Sequence, residues 1–188
     1  MSKRVMCFVI VGLLLGTAAV APAQGLKGEY FKGTNRDFPG APALTRIEPV
    51  DWDWVGGAPD AIIGAENFSI RWTGSITAPV TGTYIFRVWI DDGARVGVNE
   101  ILIIDSRIDQ AATWHASGEV ELKAGTTYPI KVEFYEVGGE ARVRLFWRYP
   151  GQSETIVPAS ALSPVMVAKV PYLTARRPTP ANGALGVM

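Results

Sequence analysis

The stretch YIFRVWIDDGARVGVNEILII, residues 84–104, ends a cleanly alternating run with Asp91-Asp92-Gly93. Two adjacent carboxylates offer hard oxygen donors, which suit a cation. Successive side chains on an extended strand, however, point to opposite faces, so an ordinary Asp-Asp pair does not chelate one ion. The same tripeptide also reads as a turn, since Asp bonds its own backbone and Gly permits positive φ. Residue types and spacing alone leave both readings open. A second carboxylate pair, Asp51 and Asp53 in VDWDW, would share one strand face about 6 to 7 Å apart, a separation compatible with paired acid/base work. The flanking Trp52 and Trp54 instead suggest the edge of a core and a structural role. His115 is the only histidine. It has no nearby serine or cysteine motif, and it reads as a loop residue without catalytic function. Asn67-Phe68-Ser69 fits a glycosylation sequon, but a bacterial-looking leader argues against its use.

The elements that would position these groups are strands. Ile70, Trp72, Gly74 and Ile76 recur at period two, followed by Tyr84, Phe86, Val88 and Ile90 beyond Pro79-Val80-Thr81-Gly82. This is the signature of half-buried strands joined by a turn. Asn99-Glu100 turns ARVGV back into ILIID, and further runs follow in GEVEL, YPIKVEFY and ARVRLFWRY, broken at Ala124-Gly125 and Gly138-Gly139. No segment carries a helical stripe. Short strands separated by Gly and Pro turns, without intervening helices, predict an all-β antiparallel sandwich or barrel. Arg142, Arg144 and Arg148 alternate with Val143, Leu145 and Trp147, as on a solvated sheet face. Trp89, two residues before Asp91, is the aromatic nearest the candidate site; it suits stacking on a sugar ring but is read in the first instance as packing.

Lys3 and Arg4 precede an apolar run from Val5 to Leu15 and the small residues Ala21-Pro22-Ala23, the pattern of a secretory signal peptide over residues 1–23. That run is shorter than the roughly 20 residues of a membrane span, and no later one is longer. The processed chain is therefore expected to be secreted or at the cell surface, with no membrane span. The single cysteine, Cys7, falls inside the leader, which leaves no thiol for a disulfide, a zinc site or a nucleophile. Without Lys3 and Arg4 the chain carries two more acidic than basic residues, so no electrostatic case for nucleic acid exists. Absence of a nucleophile motif, a histidine partner set or a phosphate loop speaks against an enzyme. Residues 24–163 hold all six tryptophans and read as one domain. Residues 164–188, rich in Pro, Ala and Gly, read as a linker with room for the start of a following module.

GLKGEYF at 25–31, VDWDWVGGAP at 50–59, FSIRWTGSITAPVTGTYIFRVWIDDGARVGVN at 68–99 and GEVELKAGTTYPIKVEFYEVGGEARVRLFW at 118–147 together resemble the PA-fourteen domain, over nearly all of residues 25–162. That family is a compact antiparallel β-barrel or sandwich, usually a non-catalytic accessory in secreted glycosidases, proteases, toxins and adhesins. The resemblance implies binding of a glycan or cell-wall polysaccharide with the help of calcium. Asp91 and Asp92 match the paired aspartates that, joined by a cis peptide, chelate the ion in adhesins of the family. A second loop, residues 135–141, would complete the site. Calcium takes six to eight oxygen ligands; the resemblance places Asp91, Asp92, Glu136 and the Gly138 carbonyl among them. Gly93, Trp89, Val137 and Gly139 would line the sugar. The adhesins carry asparagine where this chain has Glu136, a substitution that adds charge for the ion and leaves fewer positions for sugar hydroxyls.

Overall fold

The computed structural model describes residues 23–170 except positions 35, 37 and 39. Residues 1–22 of the leader expected over 1–23, and the 171–188 part of the expected linker, lie outside the described residues. Thirteen strands follow one another in the order β1 Leu26–Lys32, β2 Leu44–Glu48, β3 Asp51–Val55, β4 Phe68–Thr77, β5 Gly82–Asp91, β6 Gly93–Val98 and β7 Ile101–Ser106. The second half contributes β8 Thr113–Ala116, β9 Val120–Leu122, β10 Thr127–Glu136, β11 Ala141–Tyr149, β12 Gln152–Ile156 and β13 Leu162–Ser163, the last preceded by a 3-10 turn at Ala159–Ala161. All pairings are antiparallel, which makes the architecture the all-β one expected from the period-two patterning.

Two sheets form the sandwich. One runs β2-β1-β4-β10-β6-β7 with β13 beside β4; the other runs β12-β11-β5-β8, with β3 on β11 and β9 on β5. Side-chain alternation sends Tyr84, Phe86, Val88 and Ile90 of β5 into the core, where they meet Val143, Leu145 and Trp147 of β11. From the other sheet come Tyr30, Phe68, Ile70, Trp72, Ile130, Val132 and Phe134. Burying such large aromatic and branched side chains supplies the main drive for folding, at roughly 1.5 to 3 kcal/mol each before the entropy cost.

Register fixes two poles. Phe68 of β4 lies opposite Glu136 of β10, and Tyr135 opposite Gly93 of β6. The same pole therefore holds the β5–β6 junction, Asp91 and Asp92. At the other pole Thr77 pairs with Thr127 and Val98 with Ile130. Asn99-Glu100, expected as the β6–β7 turn, makes it with both residues in the left-handed region, φ 53 and 64, as a two-residue hairpin of matching twist requires. No helix among the described residues is long and apolar enough to cross a membrane.

Candidate functional site

Asp91 closes β5, and the Asp91–Asp92 peptide that follows is cis. Gly93 then opens β6. Its place there is explained by the neighbouring strand: a Cβ on Gly93 would lie 2.4 Å from the Tyr135 ring. Gly93 is not among the residues with positive φ, so the turn rationale of left-handed freedom does not apply to it; close approach of an aromatic ring does.

Asp92 is nearly buried and its carboxylate is committed on both sides. Oδ1 accepts the Gln110 backbone N–H at 2.9 Å and Oδ2 accepts the Val137 N–H at 2.9 Å. The Gln110 side chain returns a bond from Nε2 to the Asp92 carbonyl at 3.1 Å. Asp92 thereby ties the 107–112 segment and the β10–β11 turn to the end of the sandwich. Asp91 is different: its neighbour across the register is Arg142, whose guanidinium stands 3.6 Å from Oδ2. Burial raises the Asp91 pKa above the ordinary carboxylate range and the Asp92 charge adds to that, while Arg142 and the Ala112 N–H pull it back.

Glu136, the last residue of β10, is fully buried and neither of its oxygens has a hydrogen-bond partner. Burial pushes its pKa up to about 8, with the Asp92 and Asp91 charges next in weight; the Gly138 N–H lies close enough to lower it somewhat without making a hydrogen bond. Glu66 sits behind the turn and accepts the Gly139 N–H at 2.9 Å. A buried carboxylate facing two more carboxylates and lacking donors is costly unless a proton or a cation joins it. The available donors are all oxygens, the set a hard cation such as calcium takes. The residues present thus fit such an ion in chemistry. Among the described residues, however, no three His, Cys, Asp or Glu side chains converge as a ready-made cage. The carbonyls of Val137, Gly138 and Gly139 follow Glu136 in the adjoining turn.

Trp89 points away from the core, on the outer face of the six-stranded sheet and on the same side as Asp91. The reading of Trp89 as core packing is corrected here: it packs edge-to-face on Trp114 at 4.7 Å between ring centroids. Trp114 also meets Phe146 at 5.0 Å and lies under the Arg87 guanidinium at 4.3 Å, with 36% of its surface exposed. Trp114, Phe146 and Gln110 were not singled out from the sequence. Alternation of β11 could have placed Phe146 outward; β8 is too short to show a period. Three guanidinium groups on this face are paired, Arg87 with Glu154, Arg144 with Asp51 and Arg142 with Asp53. Asp51 and Asp53 are therefore bridge partners, consistent with their structural reading. His115 lies on β8 and not in a loop; its Nε2 is 3.1 Å from Ser106 Oγ and 3.1 Å from Gln110 Nε2, one bond removed from Asp92.

The family model described as PA14 domain matches residues 22–161. The anti-sigma-I factor RsgI3 of Acetivibrio thermocellus is 40% identical over 142 residues, which cover 75% of this chain and 21% of that protein. The chain therefore spans about a fifth of the length of that relative. An anti-sigma factor domain-containing protein from Clostridium clariflavum is similar in structure, with a TM-score of 0.70 and 31% identity over 82% of this chain and 52% of that one. The PA14 sugar-binding domain from an RTX adhesin superposes with a TM-score of 0.61 at 22% identity, covering 75% of this chain and 98% of that one, a likeness of fold alone.

Proposed function

The chain belongs to the PA14 domain family, and from that premise we propose that it is a non-catalytic carbohydrate-binding module of a longer protein working outside the cytoplasm. Its ligand pole is the Asp91–Asp92 junction together with the facing segment 136–139, and a hard cation, calcium by its donor preference, assists the sugar. The observation that carries this reading is Glu136: a fully buried carboxylate without a donor, set beside two aspartates. Asp91, Asp92 and Glu136 would hold the ion with carbonyls of the Val137–Gly139 turn. The ion would supply positive charge that sugar hydroxyls coordinate. Trp89, Trp114 and Phe146 extend an apolar face from Asp91, of the kind that stacks on the C–H face of a sugar ring. The adhesin domain of like fold is a sugar-binding domain, which lends the reading support.

The experiment is a calcium titration of the purified domain followed by thermal unfolding and calorimetry, with the Asp91→Asn/Asp92→Asn double variant beside it. Millimolar calcium should raise Tm and release heat in the parent and do neither in the variant; a flat response in the parent ends the cation reading. A glycan array in calcium and in chelator then tests the sugar separately. A second reading, a structural or protein-interaction module, is favoured by one observation: both Asp92 oxygens already accept backbone N–H groups, as in a loop brace. It expects no calcium response and a loss of about 0.5 to 2 kcal/mol on removing the carboxylates, as for a lost cap.

A further inference from the structure

Beyond its strands the domain holds on to the chain that leaves it. Asn99, wholly buried in the β6–β7 turn, accepts the Val170 N–H on Oδ1 at 2.7 Å and donates from Nδ2 to the Val170 carbonyl at 2.7 Å. This is the two-bond pattern of a β-ladder rung, made by a side-chain amide on a segment that has no strand partner of its own. The Asn99 backbone N–H is anchored in turn to the Pro129 carbonyl at 2.8 Å, so the amide stands on the rigid central strand β10. Val170 packs against the edge of the core, and Lys169 reaches Glu100 at 3.7 Å. Asparagine suits the position twice over: it tolerates the left-handed φ of 53, and it carries both a donor and an acceptor.

We propose that Asn99 is a latch that docks residues 164–170 onto the β6–β7 turn and so fixes the direction in which the chain continues. The opposite end of the domain is held at the same pole. The Gly25 N–H bonds the Leu162 carbonyl at 3.3 Å, and Leu162 pairs with Ile76. The start and the exit of the domain thus lie at one end of the sandwich, while Asp92 and Asn99 bracket the two ends of β6. Six residues of strand separate the poles by about 20 Å. A docked exit makes the module a stiff projection with its Asp91–Asp92 pole turned away from the tether. The latch stands without any ligand; only the consequence for ligand presentation rests on the proposed cation site.

Hydrogen exchange on the full chain tests the latch directly. The Val170 amide should exchange at least about tenfold more slowly than in a free peptide. Asn99→Gly, which keeps the left-handed turn and removes only the side chain, should return it to the free rate while the amides of β4 and β10 stay protected. Asn99→Ala is the less informative variant, because alanine strains that φ. For the stiffness, spin labels at Ala168→Cys and Glu140→Cys in a Cys7→Ser background should give one narrow distance distribution in the parent and a broad one with Asn99→Gly. A free-peptide rate for Val170 in the parent, protection unchanged by Asn99→Gly, or a broad distribution in the parent would each overturn the latch.

Discussion

Glu48 and Glu136 are both buried in this domain, and they are kept there in opposite ways. Glu48, at the end of β2, takes two donors on one oxygen: the Tyr30 hydroxyl and the Trp72 indole N–H, the latter at 2.8 Å. Glu136, at the end of β10, takes none. Burial raises both pKa values, but around Glu48 the hydroxyl, the indole and Arg46 work to restore the anion, whereas around Glu136 the next largest influences are two aspartates. The tertiary structure completes the first carboxylate from within and leaves the second without a hydrogen-bond partner. A carboxylate with internal donors braces a core; one without them is where a ligand or proton has something to do.

The largest expected effect is at the braced glutamate. Glu48→Ala strands the Tyr30 and Trp72 donors in the core and should cost about 3 to 5 kcal/mol, as when one partner of a buried charged pair is removed. Urea unfolding checks it, and a cost under about 1 kcal/mol would erase the contrast. The unbraced glutamate should behave in the opposite sense. With chelator present, Glu136 holds its proton up to about pH 8 in the fold, against an ordinary value of 4.5. Its contribution to stability is thus fully present below pH 4.5, declines as pH rises between those values, and is gone above 8. The decline should be on the order of 2 to 4 kcal/mol. Glu136→Gln should flatten it and stabilise the metal-free domain at pH 9, read as the difference between the two proteins' melting curves from pH 5 to pH 9.

Two smaller substitutions sharpen the comparison through glycines. A Cβ on Gly28 would lie 2.8 Å from both Glu48 Oε1 and Trp72 Nε1, so Gly28→Ala should disturb the braced carboxylate by about 1 to 3 kcal/mol. A Cβ on Gly138 would meet Glu66 Oε2 at 2.7 Å, the end of a side chain that can swing aside, and Gly138→Ala should cost less than Gly28→Ala in the same denaturation experiment. The smallest shift is at the aspartates. In chelator, Asp91→Asn relieves repulsion with Asp92 and should leave stability equal or slightly raised, by up to about 1 kcal/mol, whereas Asp92→Asn loses an acceptor for Gln110 or Val137 and should lower it by about the same amount. Equal losses in both single variants would mean that the two aspartates do the same work.

Much of the fold was written locally. The alternation of Ile70 through Ile76 and of Tyr84 through Ile90 announces β4 and β5 because the period of a strand's side chains is a property of the backbone itself. Asn99-Glu100 marks its turn because few residues accept left-handed φ. Strands such as β3, β8 and β12 are four or five residues long and half exposed; too few positions face the core to leave a pattern, so pairing with β11 and β5 defines them. At the candidate pole, Asp91-Asp92-Gly93 and the 135–141 segment could be named as elements. What each group does there could not be named. Alternation already turns Trp89 away from the face of Tyr84 to Ile90, but its partner Trp114 is supplied by pairing with β8, and Gly93 is required by the Tyr135 ring on a strand some forty residues away.

The sequence by itself determined an all-β chain of alternating strands, the positions of its tight turns and the acidic pair that ends β5, because each depends only on neighbouring residues. The tertiary structure alone decided that Glu48 has donors and Glu136 has none, that both ends of the domain meet at one pole, and that Asn99 clasps Val170 seventy-one positions away. Those outcomes depend on which groups are brought together after the backbone has closed, and on how much water is then excluded from them, and neither quantity is a function of local sequence.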